Sequence, residues 1–143
     1  MSGGTVALTA CEVEALLKIT LASIIVNDQD KALKFYTDVL GFVKKTELPM
    51  GEVKWLTVVS PEGSADIELV LEPDVHPAAR AYQKALFEDG IPATSLASAD
   101  VQGDYERLTT HGVVFRTKPT RTGPVIVAVI DDTCGNLIQI HQV

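Results

Sequence analysis

The sequence predicts an α+β fold: two β-α-β-β-β modules whose curved mixed sheets form a cavity. Three observations carry this reading. The stretch ITLASIIVNDQDKALKFYTDVLGF passes from a β-branched apolar run into an Asp-led amphipathic segment that stops at a glycine. The stretch IPATSLASADVQGDYERLTTHG repeats that order later in the chain. Each is followed by extended, apolar-rich segments separated by turn residues. A pattern used twice is a strong architectural signal.

Residues 18–26, KITLASIIV, are β-branched and apolar and read as a buried strand. Asn27 or Asp28 is a good N-cap. From Asp30 to Leu40, Ala32, Leu33, Phe35, Tyr36, Val39 and Leu40 recur at helical spacing. Gly41 stands where a left-handed C-cap residue is wanted. Phe42 opens an extended stretch, residues 52–60 form a strand, PEGS is a turn, and residues 65–73 form another strand. A connecting helix spans about 76–89, with Pro77 in its first turn and Gly90 at its end. In the second module, IPATSLASA is a short strand, Asp100 caps a helix that Gly112 stops, and VVFRTKP, GPVIVAVID and NLIQIHQ are strands. The last two are joined by the turn DTCG. The spacing supports the repeat: Asp28 to Gly41 is 13 residues, and Asp100 to Gly112 is 12. The modules therefore cover about 18–73 and 91–142 of one domain spanning 17–142, and residues 1–16 read as a flexible N-terminal extension.

The 143 residues suit one domain, and 46% hydrophobic content suffices for a core. A net charge of −7 argues against nucleic acid, whose phosphates need a basic face, and against an anionic membrane surface. The N-terminus lacks a basic region followed by an apolar run, so the expectation is a cytoplasmic protein with no membrane segment. Two cysteines, Cys11 and Cys134, are too few for a disulfide framework and form no C-x-x-C pair.

The pair of motifs VNDQDKALKFYTDVLGF and DDTCGNLIQIHQ resembles the vicinal oxygen chelate superfamily, which includes glyoxalase I, extradiol dioxygenases, fosfomycin-resistance enzymes and bleomycin-resistance proteins. The likeness runs from about Lys18 to Gln142. It implies a paired-module fold and a homodimer. It also implies four metal-ligand positions: seven residues before each helix-leading Asp, in the last strand of the first module, and four residues after the glycine of the final turn. Here these are Leu21, Ala93, Glu68 and Gln139. Leu and Ala offer no donor to a transition metal, and the Gln139 amide is not a base. The expectation is therefore no cofactor, with a divalent metal at a degenerate site as the alternative.

Residues two apart on a strand share a face. If the four ligand positions face the cavity, so do Ser23, Ile25, Asp66, Val70, Ser95, Ala97, Leu137 and His141, while Ile67, Leu69, Leu71, Ile138 and Ile140 face the helices. Trp55 shares a face with Thr57 and is read toward the cavity. The expected binding set is Glu68, Gln139, Trp55, Thr57, Ser23, Ser95 and His141, with no metal ligands. Each has a bland counterpart. Glu68 is either a bonded structural carboxylate or a ligand-binding or acid/base group. Gln139 is a structural partner or a ligand contact, and Trp55 is core or a stacking surface. His141 is a solvated residue or a ligand contact. His76 and His111 read as helix caps. Cys134 reads as a turn residue whose thiol is reactive only if exposed. The expected function is small-molecule binding in a sheet-lined cavity without the usual metal. The alternative is a lyase or isomerase using Glu68 as acid or base, or a degenerate metal site.

Overall fold

The computed structural model describes residues 17–64 and 66–143; the expected extension 1–16 lies outside them. The first module comprises β1 (Leu21–Val26), α1 (Gln29–Lys34), β2 (Val43–Met50), β3 (Val53–Val59) and β4 (Glu68–Pro73). Helix α2 (Pro77–Glu88) connects it to β5 (Thr94–Ala97), α3 (Val101–Thr110), β6 (Phe115–Thr122), β7 (Val125–Asp131) and β8 (Leu137–Gln142). The modules give two four-stranded sheets of the same design, ordered β1-β4-β3-β2 and β5-β8-β7-β6. In each, the first and last strands run parallel and the remaining pairs are antiparallel. Neither sheet closes on itself.

The caps follow from side-chain chemistry. Asp28 accepts from the Lys31 N–H, and Asp100 accepts from the Gly103 N–H. His76 Nδ1 accepts from the Ala78 N–H at the start of α2, while His111 Nδ1 lies 2.9 Å from the Arg107 carbonyl at the end of α3. Gly41 sits at φ +85°, and a Cβ built there would meet nothing within 4 Å. Gly41→Ala should therefore cost backbone strain alone, about 1 kcal/mol, seen as a lower urea midpoint at unchanged slope. An unchanged midpoint would show that the left-handed turn is not needed.

The 13-against-12 spacing has a structural cause. After α1 the chain widens into a π-helical turn, Phe35–Val39, in which the Leu40 N–H reaches back to the Phe35 carbonyl. The bond that closes this helix spans six residues, from the Phe42 N–H to the Tyr36 carbonyl. The matching bonds after α3 and α2 span five, Val113 to Leu108 and Ile91 to Leu86. One extra residue is thus absorbed as a π-turn.

Three sequence readings need correction. Strand β4 starts at Glu68, three residues later than expected, so Ile67 precedes it and is half exposed rather than packed on the helices. Asp66 likewise lies outside the strand alternation and is exposed. Strand β6 runs past Pro119 to Thr122 because it is an edge strand whose register shifts between Thr117 and Thr120, so the missing N–H breaks no central ladder.

The helix-facing sides of both sheets share one core. Ile24, Val26, Leu56, Leu71, Ala128, Ile138 and Ile140 pack with Ala32, Phe35 and Tyr36 of the first helix and with Val101 and Leu108 of α3. Burying a residue such as Leu56 or Leu71 completely stabilises the fold by roughly 1.5–3 kcal/mol. A cluster of buried polar groups joins the modules around Asp132. Buried Asp132 accepts from the Tyr36 hydroxyl (2.7 Å), the Cys134 and Asn136 N–H groups (2.7 and 2.9 Å) and Asn136 Nδ2 (2.8 Å). The Asn27 N–H donates to the Cys134 carbonyl, and Asn136 Nδ2 also donates to the Ile25 carbonyl. Gln83 of α2 completes the junction, its amide N–H groups reaching the Ile25 and Cys134 carbonyls and Asn136 Oδ1.

Candidate functional site

Strand alternation sends the remaining faces of the two sheets away from the shared core. On the first sheet, Thr57 is level with Val70 and Leu21 with Glu68, and the Thr57 hydroxyl donates to Glu68 Oε1 at 2.7 Å. Lys45 Nζ lies 3.7 Å from Glu68 Oε2. Glu68 therefore has one oxygen bonded and the other near a cation. Trp55 is on this face as expected, and with Val70 and Glu72 it lines a shallow depression of about 210 Å³. The same face carries apolar side chains in the open: Leu21, Leu48 and Met50 are 47%, 56% and 58% exposed.

On the second sheet, Gln139 Nε2 donates to Ser95 Oγ (3.1 Å), which lies 2.6 Å from His141 Nδ1. Ser95 Oγ thus links Gln139 and His141 on one face. With Gln139 Nε2 donating to Ser95, Gln139 Oε1 is left as an acceptor. Val127 and Val129 are level with His141 and Gln139 and make the floor apolar.

The seven expected residues thus form two groups. Glu68, Thr57, Trp55 and Ser23 belong to the first sheet, and Ser95, Gln139 and His141 to the second. No hydrogen bond or ion pair joins the groups among the described residues. The count of seven from each helix cap also needs adjustment. The ladder sets Leu21 opposite Glu68, but it sets Ser95, not Ala93, opposite Gln139. A shift of two residues keeps every side chain on its face while changing its neighbour.

A cavity of about 250 Å³ adjoins both sheets. Ser23, Ile25 and Glu72 come from the first sheet, Leu137 from the second, and Gln83 and Phe87 from α2, which roofs it. Of the expected binding residues only Ser23 lines it. The α2 residues were missed because that helix reads as a connector. Its pattern held the signal: Ala79, Gln83, Leu86 and Phe87 fall at i, i+4, i+7 and i+8, a stripe that must pack on something. Glu72 was equally within reach, two residues beyond Val70 on the face already assigned.

Cys134 carries no chemistry here. It is buried, and burial together with the neighbouring Asp132 carboxylate pushes its thiol up to about 11. Among the described residues, no three His, Cys, Asp or Glu side chains are grouped as metal ligands. No described helix is long and apolar enough to cross a membrane.

The same architecture occurs in known proteins. The protein YurT of Bacillus subtilis (strain 168), uncharacterized, is 56% identical over 126 residues, covering 88% of this chain and 99% of YurT. Among solved structures, UcmS2 superposes with a TM-score of 0.76 at 28% identity, covering 87% of this chain and 97% of that one. TnmS3, an antibiotic binding protein from Streptomyces sp. CB03234, gives 0.70 at 30% identity, covering 90% and 97%. The family model described as Glyoxalase/Bleomycin resistance protein/Dioxygenase superfamily matches residues 18–140. That span holds both modules and the helix between them, and the chain belongs to this superfamily.

Proposed function

We propose that the protein binds a small, largely apolar molecule and holds it without a resident transition metal. The observation that carries this reading is the 250 Å³ cavity under α2, continuous in its lining with both sheet faces. Its walls are mainly aliphatic and aromatic, and its polar side chains are the hydrogen-bonded amides of Gln83 and Asn136, the hydroxyls of Ser23 and Tyr82, and one carboxylate, Glu72. Similarity to TnmS3, described as an antibiotic binding protein, supports ligand capture. The donor set does not fit the superfamily's metal. Leu21 provides no lone pair, Ser95 opposite Gln139 offers only a neutral hydroxyl already bonded to Gln139, Gln139 is a neutral amide, and of these four Glu68 alone is a strong donor. An acid/base role for Glu68 is less favoured, because Thr57 and Lys45 already engage its carboxylate. The exposed Leu21, Leu48 and Met50 support a homodimer in which a second copy shelters this face.

One experiment separates capture from catalysis. Protein purified without chelator should carry far less than one Zn, Ni, Mn or Fe per chain. It should show no isomerisation of the methylglyoxal–glutathione hemithioacetal, and it should return bound aromatic antibiotics chemically unchanged in native mass spectrometry. Stoichiometric metal that disappears in Glu68→Ala, or a converted ligand, would overturn the reading.

A further inference from the structure

We infer that the ligand is cationic and that Glu72 selects it; this deepens the proposed binding role and rests on it. The carboxylate stands where two recesses meet. It lines the cavity under α2 together with Tyr82 and Phe87, and it lines the shallow depression together with Trp55. Glu68, four residues back on the same strand face, has Lys45 beside it, and Lys54, which also lines the shallow depression, is held by Asp30 and Glu47. Glu72 has no Lys, Arg or His within ion-pair distance among the described residues. Its partner is the Ser23 hydroxyl, donating to Oε1 at 3.3 Å, which leaves Oε2 to accept. A carboxylate at the edge of an apolar recess attracts a cation more strongly than one in open water, because the effective dielectric constant is lower there.

The aromatic rings favour the same charge. Phe87 is already engaged, with the Arg116 guanidinium 5.0 Å from its ring centre. No ring or cation contact is recorded for Trp55 or Tyr82 among the described residues. A cation held at Glu72 would lie between the two recesses these rings line, and aromatic faces attract cations. The net charge of −7 raises the local concentration of such ligands. The chemical class is an aromatic or aliphatic molecule bearing one ammonium or iminium charge.

The test uses two isosteric probes, the 1-methylquinolinium cation and neutral 1-methylnaphthalene, in equilibrium dialysis with the full chain. The unmodified protein should bind the cation about tenfold more tightly, with a preference that shrinks as salt rises. Glu72→Gln should bring the two affinities within about twofold by weakening the cation alone. Glu62→Gln, in the exposed turn between β3 and β4, removes the same charge far from the ligand-lining residues and should leave the preference intact. Equal affinity for both probes in the unmodified protein, or a preference that survives Glu72→Gln, would overturn the assignment of Glu72 while leaving the cavity as a binding site. Failure of both probes to bind would overturn the binding role and this inference together.

Discussion

Asp132→Ala should be the most destabilising single change at the junction, lowering unfolding free energy by about 3–5 kcal/mol in guanidinium denaturation. The carboxylate is fully buried and satisfies four donors. Asn136 Nδ2 keeps the Ile25 carbonyl when Asp132 is lost. The Tyr36 hydroxyl and the Cys134 and Asn136 N–H groups have no other recorded acceptor. Three orphaned buried donors at about 1–3 kcal/mol each, reduced by water entering the vacated space, give the stated range. Asp132→Asn keeps one acceptor oxygen and should lose about half as much. A loss below about 1 kcal/mol for the alanine variant would mean that the junction does not depend on this carboxylate.

The same contact gives the protein an alkaline limit. Burial first, and then the Asp132 charge, hold the Tyr36 phenol far above its ordinary value of 10.0. A raised folded-state pKa contributes stability below the unfolded pKa and loses it as pH rises. Above about pH 10 the unfolded tyrosine releases its proton while the folded one keeps it, so stability should fall by about 1.4 kcal/mol per pH unit. A denaturation midpoint that stays flat from about pH 9 to about pH 11 would contradict this.

Gly135→Ala is the second large effect, about 3 kcal/mol, and it acts on the site as well as the fold. Gly135 sits at φ +99°, and a Cβ there would lie 2.7 Å from Gln83 Cδ and Nε2. The backbone would be strained, and the Gln83 amide would have to leave the Ile25 and Cys134 carbonyls and Asn136 Oδ1. Since Gln83 seats α2 over the cavity, ligand affinity should fall with stability. Combining Gly135→Ala with Gln83→Ala removes the clash, so the double variant should be at least about 1 kcal/mol more stable than the sum of the single losses predicts. Strict additivity would show that the amide and the glycine are not coupled.

What the sequence disclosed was local. Asp28, Asp100 and Gly41 reveal helix ends because capping depends on a few neighbouring residues. Trp55 and Thr57 could be set on one face of their strand because alternation is fixed, while the ladder and the Thr57–Glu68 bond show which face it is. The ties that bring the modules together were not legible. Gln83 bonds residues 58, 51 and 53 positions away, and nothing in α2 alone names those partners. The pairing of Gln139 with Ser95 escaped for a related reason, since a two-residue register change leaves the apolar pattern untouched.

The extra residue in the first helix bears on whether the two halves are interchangeable. Counting from the caps, Tyr36 and Leu108 hold the same position, eight residues after Asp28 and after Asp100. The surplus lies between Tyr36 and Gly41, in the widened turn. Only the first helix carries a phenol there, and only the second module carries the aspartate that receives it. Two halves of one design meet here as lock and key, so neither could be replaced by a duplicate of the other. Swapping in a second first-half helix would bring a phenol with no acceptor, and a second second-half helix would leave Asp132 one donor short. A protein with two identical halves could exchange them freely; this chain cannot, because its junction pairs unlike residues.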